Sequence, residues 1–159
     1  MKLPINEISC LEALATISDP EIPVLSIIDL GIIRKIVITN ATSIEVHISP
    51  TYTACPATDL IKAEVHATLS KLGFAEINLQ QVITPPWSTD MISIEGKQKL
   101  KEYGIAPPDK RFAIPSDGVT CPRCAGSNTE LKSEFGSTAC KAFYQCKDCL
   151  EPFDYFKCH

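Results

Sequence analysis

The sequence lacks the features of a membrane or secreted protein. No apolar run approaches the ~20 residues that span a bilayer. The first ten residues carry Glu7 where a secretion signal needs an apolar core. We therefore expect a soluble, cytoplasmic protein. Because the cytoplasm is reducing, the eight cysteines are expected to be thiols, with a disulfide scaffold as the alternative.

Common catalytic motifs and a surplus of positive charge are also missing. The chain has no glycine-rich phosphate loop, no His-Glu-x-x-His and no nucleophile elbow, which disfavours independent enzymatic catalysis. The net charge is −4, and residues 119–159 contain five Lys or Arg against five Asp or Glu. Nucleic-acid-binding modules usually present a basic face to phosphates, so a protein partner is favoured over nucleic acid.

What stands out instead is a pair of Cys-x-x-Cys motifs separated by twenty-one residues. Each pair can hold one edge of a tetrahedral metal ion from a tight turn, so four thiolates converge without a large core. We predict a zinc ribbon over 119–159, with strands at 129–135, 141–145 and 153–156. The expected zinc ligands are Cys121, Cys124, Cys146 and Cys149.

The same four thiolates also suit a rubredoxin-like iron or an iron–sulfur cluster, so the identity of the metal stays open. Cys140, Cys158 and His159 are left over. Either cysteine could replace an assigned ligand, belong to a second site, or pack beside the ribbon.

The first hundred residues predict an α+β fold, a small mixed three-stranded sheet packed with helices. A first helix capped by Asn6 carries the apolar stripe Ile8, Leu11, Leu14 and Ile17. Alternating apolar residues over 36–48 predict a β-hairpin. A helix that ends at Gly73 and a third strand over 77–83 then form a crossover, which favours parallel pairing.

Two further elements complete this region. Trp87 follows a Pro-Pro pair and is expected to cover the sheet edge or to anchor a partner. A last helix is predicted from Thr89 or Asp90 to Gly104. Residues 105–118 have the composition of a proline-stiffened linker, so we expect domains at 1–104 and 119–159.

The candidate reactive residue of the first domain is Cys55. It precedes Pro56, which suits the first helical position, so the positive helix end is expected to lower the thiol pKa. A small buried apolar cysteine is the alternative. Asp19 and Glu21 lie in Asp-Pro-Glu-Ile-Pro, a rigid loop that presents two carboxylates. In the alternative interpretation, Asp19 caps a turn and Glu21 is solvated.

These motifs resemble a known family. Asp19-Pro-Glu-Ile-Pro through Asp29-Leu-Gly, with Thr53-Ala-Cys-Pro56 leading a helix, resembles SufT-like proteins of iron–sulfur cluster assembly. The whole chain, including the ribbon segment Phe135-Gly-Ser-Thr-Ala-Cys-Lys and the ending Glu151-Pro-Phe-Asp-Tyr-Phe-Lys-Cys-His, resembles the PaaD family of phenylacetyl-CoA epoxidase systems.

This resemblance implies a homodimer and an accessory role in aerobic phenylacetate breakdown. The implied partners are the oxygenase and reductase components, and the implied cargo is transient iron or an iron–sulfur cluster. Cys55 carries over as the reactive cysteine, with Asp19 and Glu21 as the acidic loop, although Ala54 stands where relatives often have glycine. Two roles follow: a factor that matures the metal centres, or a structural subunit that couples electron delivery.

Overall fold

The structure is a computed structural model that describes residues 5–52, 54–108, 114–115 and 117–157. It divides into two compact units, Met1–Trp87 and Ser88–His159. None of the described helices is long and apolar enough to cross a lipid bilayer. The domain boundaries predicted at 104 and 119 stay a prediction. The boundary between the two compact units falls earlier in the chain, after Trp87. Residues 105–106 pair with the C-terminal sheet.

The first unit contains a three-stranded sheet in the order β1-β2-β3. β1 (Ile33–Asn40) and β2 (Ser43–Ile48) form the predicted antiparallel hairpin, and the Asn40 side chain accepts a hydrogen bond from the Thr42 backbone N–H in its turn. β3 (Glu76–Gln81) pairs parallel to β2, as the crossover predicted. Ile44 and Val46 on β2 are fully buried or nearly so, which places the core on one face of this sheet.

Two helices complete this unit. α1 (Glu7–Leu14) begins at the predicted cap: the Asn6 side chain accepts from the Ser9 N–H at 2.9 Å, and Ser9 Oγ accepts from the Asn6 N–H. The predicted apolar stripe of α1 is wrong in its first half, because Ile8 is 65% exposed while Cys10 is fully buried. α2 (Thr58–Leu72) ends where Gly73 adopts φ 113°.

Trp87 closes the first unit and is buried. Its indole nitrogen donates to the carbonyl of Leu30 at 2.7 Å, and only 5% of the residue is exposed. Leu30 is followed by Gly31 at φ 67°, a conformation that glycine adopts without steric cost. The tryptophan therefore fastens the 84–87 segment to this bend, and its alternative role as a partner anchor is wrong.

The second unit begins with helical turns. The predicted single helix from Thr89 is divided into a 3₁₀ turn (Thr89–Met91) and α3 (Ile94–Tyr103). Ser93 separates them because its hydroxyl accepts from the Gly96 N–H at 2.9 Å and caps α3. Gly104, at φ 90°, ends α3 at the predicted position.

A four-stranded sheet in the order β4-β7-β6-β5 forms the rest of the second unit. Its strands are β4 (Ile105–Ala106), β5 (Thr129–Ser133), β6 (Lys141–Cys146) and β7 (Pro152–Phe156). The three predicted ribbon strands are present, and β4 adds a fourth by pairing parallel to β7. Tyr144 is fully buried against Phe153 and Tyr155, with ring centroids 5.9 and 5.7 Å apart.

Candidate functional site

The four predicted metal ligands come together at one end of the ribbon. All four sulfur atoms lie within 4.8 Å of one another. Cys121 Sγ is 3.8 Å from Cys149 Sγ, and Cys124 Sγ is 3.6 Å from Cys146 Sγ. Zinc–sulfur bonds of about 2.3 Å in a tetrahedron imply sulfur–sulfur edges of roughly 3.8 Å. The arrangement therefore fits one tetrahedral metal ion with a closed shell.

Each Cys-x-x-Cys turn points backbone N–H groups at its sulfur atoms. In the first turn, the N–H of Arg123 donates to Cys121 Sγ and that of Gly126 to Cys124 Sγ, both at 3.4 Å. Such donors stabilise thiolates and so support metal binding. Ala125 follows the first turn at φ 61°, and Leu150 follows the second at φ 64°.

The two cysteines of the second turn have very different pKa values in the metal-free cluster. Backbone N–H groups of Cys149 and Asp148 lower the pKa of Cys146 to about 7. The Glu151 N–H acts in the same direction on Cys149, but desolvation and the neighbouring sulfur atoms raise the pKa of Cys149 to about 12. Metal binding at neutral pH therefore displaces protons from part of the cluster.

The leftover residues lie apart from this cluster or outside the described part of the chain. Cys140 is 3% exposed, and its sulfur lies 3.0 Å from Thr138 Oγ1. This agrees with packing beside the ribbon. Cys158 and His159 lie outside the described residues.

The acidic loop and Cys55 form a second candidate site, in the first unit. Asp19 and Cys55 line one pocket, together with apolar side chains and the hydroxyl-bearing Thr51 and Thr58. The loop is tied by hydrogen bonds: Asp19 Oδ1 accepts from the N–H groups of Glu21 and Ile22 at 2.8 and 2.9 Å. Asp19 thus caps a turn, as the alternative interpretation held, and lines the pocket as well.

Cys55 sits two residues before the cap of α2 rather than on it. The cap is Ala57, the Cys55 N–H donates to the Tyr52 carbonyl at 3.2 Å, and the Cys55 carbonyl accepts from the Thr58 N–H at 3.2 Å. Pro56 therefore lies in the turn before the helix. The side chain of Cys55 is partly buried at this junction.

The electrostatics of Cys55 differ from the expectation. Burial raises the pKa of the Cys55 thiol above its usual value, and the carboxylates of Glu21 and Asp19 raise it further. The Ala57 N–H and the Thr58 hydroxyl lower the pKa, as a helix start should, but the opposing effects prevail. The net lowering of the pKa predicted from the helix end is therefore wrong, because burial of the thiol and, after it, the carboxylates of the acidic loop outweigh the helix start.

Thr58 is the residue that sequence reasoning missed. Its hydroxyl oxygen is buried and has no hydrogen-bonding partner of normal geometry in the described part of the chain. The only signal in the sequence was its place three residues after Cys55, at the first turn of a helix.

Two protein-family models match separate parts of the chain. Residues 9–77 match the family described as iron–sulfur cluster assembly protein, and residues 106–157 match the PaaD zinc beta ribbon domain. An Escherichia coli (strain K12) protein, provisionally named as a 1,2-phenylacetyl-CoA epoxidase subunit, is 43% identical over 91% of this chain and 88% of its own. The chain belongs to the PaaD family.

More distant relatives cover the first unit. A Porphyromonas gingivalis (strain ATCC BAA-308 / W83) protein, named Fe-S protein maturation auxiliary factor, is 30% identical over 60% of this chain and 90% of its own. The crystal structure of a domain of unknown function, DUF59, from Bacillus anthracis is 26% identical with a TM-score of 0.56, over 59% of this chain and 90% of that one. A conserved hypothetical protein from Thermotoga maritima shares the fold, with a TM-score of 0.54 and 24% identity over 63% and 98%.

Proposed function

We propose that this protein is an accessory factor of a phenylacetyl-CoA epoxidase system in aerobic phenylacetate catabolism. Its task is to mature the iron or iron–sulfur centre of the oxygenase or reductase components, and it carries out no catalysis of its own. The similarity to an epoxidase subunit and to an iron–sulfur maturation factor supports both halves of this proposal. We place it in the cytoplasm and expect a homodimer.

The observation that carries the proposal is the pocket in the iron–sulfur-assembly unit. It places the Cys55 thiol and the Asp19 carboxylate at one surface, with Glu21 close enough to act on the thiol electrostatically. Thiolate and carboxylate are ligands for first-row metals. This pocket holds fewer protein ligands than the ribbon cluster, so a metal bound here keeps open positions through which it can be passed on.

The ribbon has a different task in this proposal. Its four cysteines would hold zinc, which closes the coordination shell and leaves no position for a substrate. The described ribbon also exposes large apolar side chains, Phe135 (64%) and Leu150 (69%). We assign to it the docking of the oxygenase or reductase component.

Reconstitution tests the maturation role. The oxygenase and reductase components are produced with this protein, without it, and with its Cys55→Ala variant, and their iron content and turnover are measured. We expect iron-deficient components both without the protein and with Cys55→Ala, whose circular dichroism stays unchanged. Full iron and normal turnover of components made without the protein would refute the maturation role.

A structural or electron-coupling protein of the complex is the second candidate. The exposed apolar residues of the ribbon favour it, because they also suit a lasting interface. It predicts co-purification with the oxygenase at fixed stoichiometry and full activity with Cys55→Ala. Normal activity of the complex with that variant would favour this role over maturation.

A further inference from the structure

The buried hydroxyl of Thr58 points to a ligand at the Cys55 pocket. Thr58 is 9% exposed and lines the pocket, and its Oγ1 has no hydrogen-bond partner within the described ranges of the chain. Leaving a buried polar group unpaired is costly, and such groups in native proteins usually have a partner. The Cys55 sulfur can accept this hydrogen when it is a thiolate, and the Thr58 hydroxyl favours that form because it lowers the Cys55 pKa.

The pocket is small and mostly apolar. Its free volume is about 10 Å³, which is the space of a single water-sized ligand. Besides Asp19, Cys55 and the two threonines, its lining consists of Ile32, Ile48, Pro50 and Ile61. Charge interactions in such a mostly apolar pocket are stronger than at an open surface.

The charges around the pocket favour a cation. Asp19 lines it directly, and Glu21 and Asp19 both act electrostatically on Cys55. Among the groups with a resolved influence on this sulfur there is no cationic side chain. An anionic occupant, such as a persulfide carried on Cys55, would add negative charge beside two carboxylates, whereas a metal cation neutralises them.

The number of sulfur ligands separates a single ion from a cluster. Iron–sulfur clusters are generally held by four cysteine thiolates, and Cys55 is the one cysteine among the residues that line the pocket. One thiolate and one carboxylate suit a divalent first-row ion with remaining positions open to water or to a client's ligands. A pocket with a free volume of about 10 Å³ also has room for one ion rather than a cluster.

We infer that this pocket takes up a single Fe²⁺ ion, bound by Cys55 and Asp19, and that the Thr58 hydroxyl positions the Cys55 sulfur by donating a hydrogen bond to it. This inference rests on the proposed maturation function and specifies its cargo as mononuclear iron rather than a preformed cluster or sulfur. As the iron–sulfur bond forms, the thiol proton leaves to solvent. The iron stays Fe²⁺, so no oxidant or reductant is required.

Anaerobic titration of the full chain with Fe²⁺ tests the inference. The ribbon is first loaded with one zinc per chain, and the further bound iron is then measured by equilibrium dialysis and metal analysis. The variants are Cys55→Ser, Asp19→Asn, Thr58→Val and Thr58→Ser. The matched controls are Asp59→Asn, an exposed carboxylate in the first turn of α2, and Thr68→Val, a threonine further along the same helix.

We expect one Fe²⁺ per wild-type chain and none per Cys55→Ser or Asp19→Asn chain. Thr58→Val should bind iron about tenfold more weakly or worse, as loss of a hydrogen bond to a metal ligand typically does. Thr58→Ser should restore most of the affinity, because it keeps the hydroxyl and loses only the methyl group. A purely structural role for Thr58 predicts the opposite order of these two variants.

Several results would overturn the inference. They are wild-type protein that binds no iron beyond the zinc, equal affinity of Thr58→Val and Thr68→Val, or a need for sulfide together with two or more irons per chain. The last result would leave the maturation function standing with a cluster as cargo. Conversely, one bound Fe²⁺ with normal oxygenase and reductase in cells that lack the protein would refute the maturation function alone.

Discussion

The sulfur atoms of Cys121 and Cys149 lie 3.8 Å apart although they belong to different Cys-x-x-Cys turns. The edge they form matches one edge of a zinc–thiolate tetrahedron, roughly 3.8 Å. The second turn is also tied to the segment before β5, because the Asn128 side chain donates to Asp148 Oδ1 at 2.9 Å. The geometry thus favours a metal whose role is to hold the ribbon together.

Removing that metal should unfold the ribbon and leave the first unit folded. Cys146→Ser, or a strong zinc chelator, takes away binding free energy that amounts to about 10–16 kcal/mol in small zinc modules. We expect the near-ultraviolet circular dichroism of Tyr144 and Tyr155 to collapse. Trp87, the one tryptophan of the chain, is buried in the first unit, so its fluorescence should stay unchanged.

Cys10→Ala is the control for this experiment. Cys10 is fully buried in α1 and lies in the other unit, so the variant should retain one zinc per chain. Cys146→Ser protein with stoichiometric zinc and an unchanged melting profile would contradict the assignment of the ligands. Loss of the Trp87 signal together with the tyrosine signal would contradict independent folding of the first unit.

Leu150→Gly should stabilise the ribbon. Leu150 adopts φ 64°, where a residue with a Cβ pays about 1 kcal/mol that glycine does not. Its side chain is 69% exposed, so little packing is lost. We expect a gain of about 0.5–1 kcal/mol in chemical denaturation monitored by tyrosine circular dichroism.

The same substitution also tests docking. If the Leu150 side chain contacts a partner, Leu150→Gly should weaken co-purification with the oxygenase or reductase component while the variant itself becomes more stable. Ala125→Gly, at φ 61° after the first turn, is the matched control: it should bring a similar gain without affecting partner binding. A destabilised Leu150→Gly would show that the side chain packs within the ribbon.

Gly136→Ala should destabilise the ribbon. An added Cβ would clash with Asp154 Oδ1, and that carboxylate cannot move without loosening its bond from the Ser137 hydroxyl at 2.8 Å. Forced overpacking of this kind costs about 1–3 kcal/mol. Thermal unfolding followed by tyrosine circular dichroism would measure it, and an unchanged melting temperature would contradict this view of the loop.

Most of the fold of the first unit could be predicted from the sequence, because the patterns that determine it are local. Alternation over β1 and β2 and the helix that leads to β3 determine the sheet and its parallel pair. Ile8 was misassigned because helical spacing cannot tell which apolar face of a short helix meets the core. The pairing of β4 with β7 was missed for a related reason, since a two-residue strand has no detectable period.

The two candidate sites also differ in how far the sequence could predict them. The ribbon cluster could be predicted because two turns of fixed spacing determine where four sulfur atoms go. The Cys55 pocket could not be fully predicted, because the pKa of its thiol depends first on burial and then on Glu21 and Asp19, which are distant in sequence. Thr58 was missed since a threonine at a helix start is ordinary until its burial and lack of a partner within the described chain are known.

Glu21→Gln should make Cys55 react faster with iodoacetamide. Burial contributes most to the raised pKa of this thiol, and the Glu21 carboxylate raises it further. Removing that charge lowers the pKa, so a larger fraction is thiolate, the reactive form, at any pH below the pKa. We expect a rate about two- to fivefold higher at about pH 7.5, measured by mass spectrometry of the peptide that contains Cys55.

The pH dependence of alkylation shows the direction of the pKa shift without a comparison of absolute rates. Alkylation of both proteins should rise with pH, and the wild-type curve should lie on the alkaline side of the Glu21→Gln curve, because its thiol holds the proton to higher pH. Glu64→Gln, an exposed carboxylate on α2, is the control and should leave the curve in place. Slower alkylation of Glu21→Gln, or coinciding curves, would contradict the view that the Glu21 carboxylate raises the pKa of Cys55. The acidic loop would then have to act at the pocket through Asp19 alone.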